Sequence, residues 1–263
     1  MFAFVALLTD FGLSDPYVGQ MKAVLLREAP GCTILDLTHE VEPHNVLQAG
    51  FFLAASWPYL PQGGLAVAIV DPGVGTARGL LLLQKNGRYA LVPDNGLLSL
   101  LLERPGENLI RSVKAPELLR EASSTFHGRD VFAPLAARMA RRTDPERLGA
   151  VVPEHGVVRL PHGAPRLESG RLEARVLHVD RFGNCILNLD SNAWSTWVQQ
   201  QSPRLVEPVR LEVHPVSAYA QIPDQELGIL DGSQGYLELA ANRASCAARL
   251  GLRIGDACRF RTR

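Results

Sequence analysis

Three apolar runs in the first hundred residues end alike, on an aspartate with a glycine close behind: "VALLTDFG" at Asp10, "AVAIVDPGVG" at Asp71 and "YALVPDNG" at Asp94. Short apolar runs bounded by turn formers read as buried strands. Five strands are expected this way, at 4–8, 33–37, 65–70, 80–84 and 89–92. Helical patterns lie between them. In "SDPYVGQMKAVLLREAPG", Ser14 or Asp15 is placed to cap, Pro16 suits the first turn, and Met21, Val24 and Leu25 form an apolar stripe. Further helices are expected at 45–56, at 95–103 with Asn95 as cap, and at about 130–139 with Asp130 as cap. Strands alternating with helices imply βαβ units and a mostly parallel sheet.

The pattern changes at "PHGAPRLESG", residues 161–170. Beyond this Pro- and Gly-rich boundary come short, closely spaced runs such as "ARVLHVD", "NCILNLD", "VRLEVHPV" and "GYLELA". These suggest a small antiparallel sandwich or barrel. The expected organisation is an α/β domain over 1–163 and a smaller all-β, barrel-like domain over 170–263.

Charge narrows the partners. The 27 basic residues equal the 27 acidic ones, so no net field draws the chain to nucleic acid or an anionic membrane, and a small-molecule ligand is expected. The four cysteines have no CxxC spacing, which argues against a zinc knuckle or a redox dithiol. "MFAFVALLTDFG" lacks the basic start of a signal peptide, and no apolar run approaches the ~20 residues of a membrane span. A cytoplasmic protein is expected.

Open parallel sheets bind ligands where loops leave the carboxyl ends of their strands, so the three acidic loops mark a candidate site. Taken singly, each Asp-Gly pair is ordinary turn chemistry. The loop "AIVDPGVGTARG" resembles a phosphate cradle, yet it lacks GxxxxGK[ST] and GxGxxG, and Asp71 at its head would repel a phosphate. No HExxH or comparable ligand spacing points to a metal, although Asp10, Asp71 and Asp94 leave a carboxylate-only Mg²⁺ site open. Further on, "STFHGRDVFAP" offers His127, and "HVDRFGNCILNL" offers Asp180 and Asn184 around a Phe-Gly turn. "DGSQGYLELAANRAS" offers Ser233, Glu238 and Asn242. The bland alternatives are turn roles for Asn184 and Ser233 and an outward-facing strand position for Glu238.

The collinear motifs "LLTDFGLSDPYVGQMK", "VDPGVGT.R", "PDNGLL", "TFHGRDVFAP", "DRFGN" and "S.GYLE.A.N" resemble the S-adenosyl-L-methionine (SAM) hydroxide adenosyltransferase family, adenosine-forming hydrolases related to fluorinase and chlorinase. The resemblance covers most of the chain. It implies an N-terminal α/β domain, a C-terminal barrel-like domain, and a homotrimer with active sites between subunits. The implied reaction is SAM plus water giving adenosine and L-methionine, without a metal or other cofactor. Its Asp–Arg–His trio falls on Asp71, Arg78 and His127, and its ribose-diol carboxylate on Asp10. The adenine contact falls on Asn184, and methionine contacts fall on Asp180, Ser233 and Glu238. Halogenating relatives replace the trio, and the fluorinase carries a long insertion where this chain has only "KNGR" between two strands. One departure is the basic "NRAS", which puts Arg243 where small or neutral residues are more usual near the adenine.

The sulfonium leaves as a neutral thioether, so the chemical difficulty lies in aligning water with C5′. Asp71 and His127 are expected to hold that water, with Arg78 balancing the charge; which of the two takes the proton stays open. The competing functions are a halide-dependent SAM halogenase, a metal-dependent phosphoesterase using the acidic loops, and a non-catalytic SAM- or adenosine-binding protein.

Overall fold

The first strand, β1 (Phe4–Thr9), buries five of its six side chains because helices cover both faces of the sheet around it. This computed structural model describes residues 4–141, 144–161, 164–168, 170–201 and 203–261. Contacts divide the chain into two compact units, Met1–Leu160 and Pro161–Arg263. The expected domain limits at residues 1, 163 and 263 lie outside the described residues.

In the first unit, α1 (Tyr17–Glu28), β2 (Thr33–Thr38), α2 (Val46–Ser56) and β3 (Leu65–Ile69) follow β1. Next come β4 (Leu80–Lys85), β5 (Arg88–Pro93), α3 (Ser99–Glu103), β6 (Leu109–Val113), α4 (Pro116–Glu121), α5 (Ala133–Ala140) and β7 (Gly149–Val152). The seven strands form one sheet in the order β2-β1-β3-β5-β4-β6-β7. Pairing is parallel from β2 through β5 and antiparallel from β5 to β7. The switch has a local cause. Asn86 and Gly87 both take positive φ, 49° and 70°, the conformation of a two-residue hairpin that returns β5 beside β4. Alternate residues of the central strands (Val5, Leu7, Leu65, Val67) pack with Met21, Val24 and Leu25 of α1 and with Leu135 and Met139 of α5. The apolar stripe of "QMKAVLL" is therefore a core stripe.

Helix caps depart from expectation in three places. Asn45 does cap α2, its side chain accepting the Gln48 N–H. Neither Ser14 nor Asp15 caps α1; Pro16 stands at that position and its carbonyl accepts the Gln20 N–H. Asn95 caps nothing: α3 starts at Ser99, and the Asn95 amide ties Val70 O (2.7 Å) to its own turn. Asp130 lies inside a π-helical turn, Gly128–Phe132, that leads into α5, and there it accepts from Ser123 N and from the Arg129 guanidinium.

The second unit contains β8 (Arg166–Glu168), β9 (Arg171–Val179), β10 (Cys185–Asp190), α6 (Ser191–Gln201), β11 (Arg204–Glu207) and β12 (Leu211–Pro215). It continues with β13 (Leu227–Asp231), β14 (Tyr236–Ala241), α7 (Cys246–Leu250) and β15 (Ala257–Arg261). The order β10-β14-β13-β12-β11-β15-β9 closes through β9–β10 pairing, making a seven-stranded barrel with β8 added beside β9. Six junctions are antiparallel and β12–β13 is parallel. Leu172, Leu187, Leu239 and Phe260 are among the residues filling the barrel.

Candidate active site

The loops after β1, β2 and β3 and the segment between α4 and the π-helical turn meet at a cavity of about 250 Å³. Asp10 with Phe11, Asp71 with Val74, and Thr125 through Gly128 line it, together with Pro43, His44, Tyr17 and Ile69. Two of the three acidic loops therefore converge. The third does not: Asp94 Oδ1 accepts the Val158 N–H at 2.9 Å, a structural duty that ties down the end of the unit. Among the described residues no three His, Cys, Asp or Glu side chains gather as a metal site requires.

The Asp71 loop folds back on itself. Val74 N–H bonds to Asp71 O, Thr76 N–H to Gly73 O, and the Thr76 hydroxyl also donates to Gly73 O. Gly75 at φ 78° makes the reversal, and Arg78 returns to the residue that opened the loop. Arg78 Nε and Nη2 both donate to Asp71 Oδ2, at 2.8 and 2.5 Å. The pair is secluded, with side-chain exposure of 9% for Arg78 and 5% for Asp71. Asp71 Oδ1 is buried and has no hydrogen-bond partner among the described residues. A buried carboxylate oxygen without a donor is costly, so its retention beside a cavity points to a polar guest.

Arg78 Nη2 also lies 2.9 Å from His127 Nδ1. A guanidinium only donates, so Nδ1 accepts and the neutral ring carries its hydrogen on Nε2. Burial first, and the Arg78 charge second, lower the His127 pKa, against opposing pulls from Asp71 and Asp130. His127 is thus a neutral donor whose one lone pair is occupied. Of the two candidate bases, only Asp71 has a free acceptor.

Phe11, Tyr17 and Phe126 stack edge-to-face with centroids 5.1–6.1 Å apart and wall the cavity. Phe126 also carries the Arg129 guanidinium over its ring at 5.0 Å. Asp10 Oδ2 accepts the His44 N–H at 2.9 Å, which uses one of a carboxylate's four acceptor positions. His44 and Tyr17 were not among the expected site residues. Neither carries a spacing signal: His44 reaches the cavity from the loop before α2, and Tyr17 from the first turn of α1.

The remaining expected residues lie in the second unit. Asp180 organises the "DRFGN" turn, its Oδ1 accepting from Phe182 N and Asn184 N and its Oδ2 from Asn184 Nδ2. Asn184 is buried with one amide N–H used on Asp180. Ser233 sits in the exposed turn between β13 and β14. Glu238 is not an outward strand residue: it is 4% exposed and accepts the Tyr219 hydroxyl at 2.6 Å. Burial, the largest cause, raises its pKa despite that hydrogen bond. Arg243 is exposed in a left-handed turn at φ 51°, and Asn242 donates to Ile222 O.

An α/β unit with an ion-paired carboxylate, a neutral imidazole and an aromatic wall at its strand ends, followed by a seven-stranded barrel, defines a two-domain protein with a small-molecule site suited to activating water. The sequence matches the SAM hydroxide adenosyltransferase N-terminal domain over residues 5–149 and the C-terminal domain of the same family over 174–259. The chain belongs to the SAM hydroxide adenosyltransferase family. A Thermus thermophilus protein named (R)-S-adenosyl-L-methionine hydrolase is 40% identical over 95% of this chain and 96% of its own length. One of the same name from Salinispora tropica is 35% identical over 97% and 96%. A fluorinase of Nocardia brasiliensis is more distant, at 26% over 95% and 94%. Among solved structures, a conserved Thermotoga maritima protein superposes with a TM-score of 0.87 at 32% identity, covering 97% of this chain and 99% of that one.

Proposed function

We propose that this protein hydrolyses S-adenosyl-L-methionine to adenosine and L-methionine. The observation that carries the reading is the buried, donorless Asp71 Oδ1, held by Arg78 beside the N–H-bearing His127. Relatives at 34–40% identity named (R)-S-adenosyl-L-methionine hydrolase support the substrate and the reaction.

In the proposed reaction a water donates one proton to Asp71 Oδ1 and accepts a hydrogen bond from His127 Nε2. Its remaining lone pair attacks C5′ opposite sulfur. The C5′–S bond breaks, both electrons pass to sulfur, and methionine departs as a neutral thioether. Asp71 takes up the water's proton and loses it to solvent after product leaves. Base assistance of this kind is worth ~10²–10⁴ in rate, and alignment of the water supplies up to ~7–11 kcal/mol. Attack neutralises the sulfonium, so the aromatic wall of Phe11, Tyr17 and Phe126 favours the transition state over the cationic substrate's hydrated state.

Asp10 is proposed to accept both ribose hydroxyls, Asn184 to contact adenine, and Asp180, Ser233 and Glu238 to contact the methionine end. The reading includes a cytoplasmic homotrimer with inter-subunit sites, needing no metal and no nucleic-acid partner. Among the described residues no helix is long and apolar enough to cross a membrane.

The test is incubation with each sulfonium epimer of SAM, with and without chloride and EDTA, followed by chromatography. Adenosine in every arm with at least one epimer is expected. Loss in EDTA restored by Mg²⁺ would favour the phosphoesterase-like metal site, a chlorinated nucleoside would favour halogenation, and tight binding without turnover would leave a binding protein.

A further inference from the structure

Behind Asp10 runs a chain of polar groups, buried at Thr9 and His39, that the reaction leaves unused. Thr9 is 0% exposed and His39 is 3% exposed, and Thr9 Oγ1 lies 2.8 Å from His39 Nδ1. On its far side His39 Nε2 lies 3.1 Å from Asp36 Oδ1, off the line of a hydrogen bond, and Lys22 Nζ donates to Asp36 Oδ2 at 2.5 Å. Burial opposes ionisation of Asp36, yet the Lys22 and His39 contacts hold its carboxyl below the ordinary value.

The arrangement of hydroxyl, imidazole and carboxylate looks like a nucleophilic triad, but Thr9 and His39 are buried and do not line the cavity. Mutual satisfaction of buried polar groups explains their pairing. It does not explain the backbone to which they are joined. The segment after β2 is stitched to the end of β1 by Gly12 N–H to His39 O (2.8 Å), Val41 N–H to Thr9 O (3.4 Å) and His44 N–H to Asp10 Oδ2 (2.9 Å). His44 makes the last of these from φ 69°, a left-handed conformation uncommon for residues other than glycine. Asp10 is thus aimed from two sides: its own strand end and the His39–His44 segment, which the Thr9–His39 bond keys to it.

We infer that His39 is a positioning residue, which through Thr9 and the segment ending at His44 fixes the Asp10 carboxylate for recognition of a vicinal diol. This rests on the reading of Asp10 as the ribose-binding group. A carboxylate that grips two hydroxyls at once must be set within a few tenths of an ångström, and loss of such alignment falls on binding before chemistry.

The experiment compares wild type with H39A, H39N, T9V and D10N. Kd values for adenosine and 2′-deoxyadenosine are measured by calorimetry, and kcat and KM on SAM alongside. In wild type and H39N, whose amide oxygen can replace Nδ1 at Thr9, adenosine is expected to bind more tightly than its deoxy analogue. In H39A and T9V the preference is expected to shrink about tenfold and KM to rise accordingly, with kcat changed less than threefold. T9V keeps the buried volume, so it serves if H39A fails to fold. D10N abolishing the preference while T9V and H39A retain it overturns the inference alone. D10N retaining the preference overturns the ribose reading of Asp10 and the inference with it.

Discussion

Asp71 and Arg78 are joined through one carboxylate oxygen: both Arg78 donors, at 2.8 and 2.5 Å, end on Oδ2, and Oδ1 is left buried with no donor among the described residues. The guanidinium balances the charge while the free oxygen keeps its basic lone pairs. An arrangement with one donor on each oxygen would have matched the fork of arginine better and would have consumed the base. Asp71→Asn keeps the shape and an acceptor for Arg78 but removes the proton acceptor. Its kcat is expected to fall by ~10²–10⁴ with KM little changed. Arg78→Lys keeps the charge but loses the second donor and the His127 contact; it should also lose activity. Steady-state kinetics on SAM, with circular dichroism to confirm folding, checks both, and wild-type kcat in Asp71→Asn would remove the assigned base.

His127 carries a pH signature whose sign follows from its surroundings. Burial and the Arg78 charge lower its pKa in the folded protein, whereas the unfolded chain has the ordinary value near ~6.5. Above that pH both states are neutral and the residue adds no pH dependence. As pH falls through the unfolded value, the unfolded chain binds a proton that the folded protein refuses, so stability declines until the folded pKa is passed. Denaturant unfolding at pH 5.5 and 7.5 should show a smaller loss for His127→Asn than for wild type. Activity of the wild type should persist below ~6.5 and fall only when Nδ1 protonates and turns an N–H against Arg78.

The parts of this fold that could be read from sequence are those with one dominant force. Central strands β1, β3 and β5 are runs of mostly buried side chains, and the expected helix at 45–56 is α2. Strand β6 mixes half-buried Arg111 and Ser112 with its apolar residues, β13 contains Gly228, and α6 reads "SNAWSTWVQQQ", so none shows a clean period. Asp94 and Asp10 sit in similar local sequences, yet Asp94 is claimed by Val158, sixty-four residues away. The same holds for Asn95 with Val70 and Asp130 with Ser123. Composition and spacing offered Asp71 and His127 as polar residues near glycines. That Arg78 occupies the His127 lone pair, and so separates donor from base, is a fact of tertiary geometry across forty-nine positions.

Lys85 gives a purely structural counterpart to the site. Its ammonium is buried in the hairpin strand and donates to Arg104 O (2.7 Å), Gly106 O (3.1 Å) and Asn108 Oδ1 (2.6 Å). Burial lowers its pKa, partly offset by Glu154. Lys85→Met fills similar space but leaves those three acceptors without their donor, at a cost of ~1–3 kcal/mol for each unsatisfied group. A clear drop in denaturant midpoint is expected, with KM for SAM unchanged in the folded fraction. An unaltered midpoint would mean that the 104–108 segment finds other partners.

The two glycines of the Asp71 loop should separate stability from catalysis. Gly75 lies at φ 78°, and a Cβ there would stand 2.5 Å from Ser124 O, backbone of the segment that carries His127. Gly75→Ala adds left-handed strain of ~1–2 kcal/mol and pushes the Asp71 loop away from that segment, stretching the 2.9 Å Arg78–His127 contact. Both Tm and kcat should fall. Gly73 is different: its Cβ would make only ordinary contacts, at 3.5 Å to Thr76 Oγ1 and 3.6 Å to Arg78 Cγ, and the third is 3.7 Å to Asp71 Oδ1. Gly73→Ala should therefore keep Tm close to wild type while its methyl crowds the oxygen that must hold the water, lowering kcat. Thermal unfolding and turnover measured side by side test the pair. If Gly73→Ala turns over like wild type, the water is held on another side of Oδ1, and if Gly75→Ala keeps both values, the loop does not depend on its seat against Ser124.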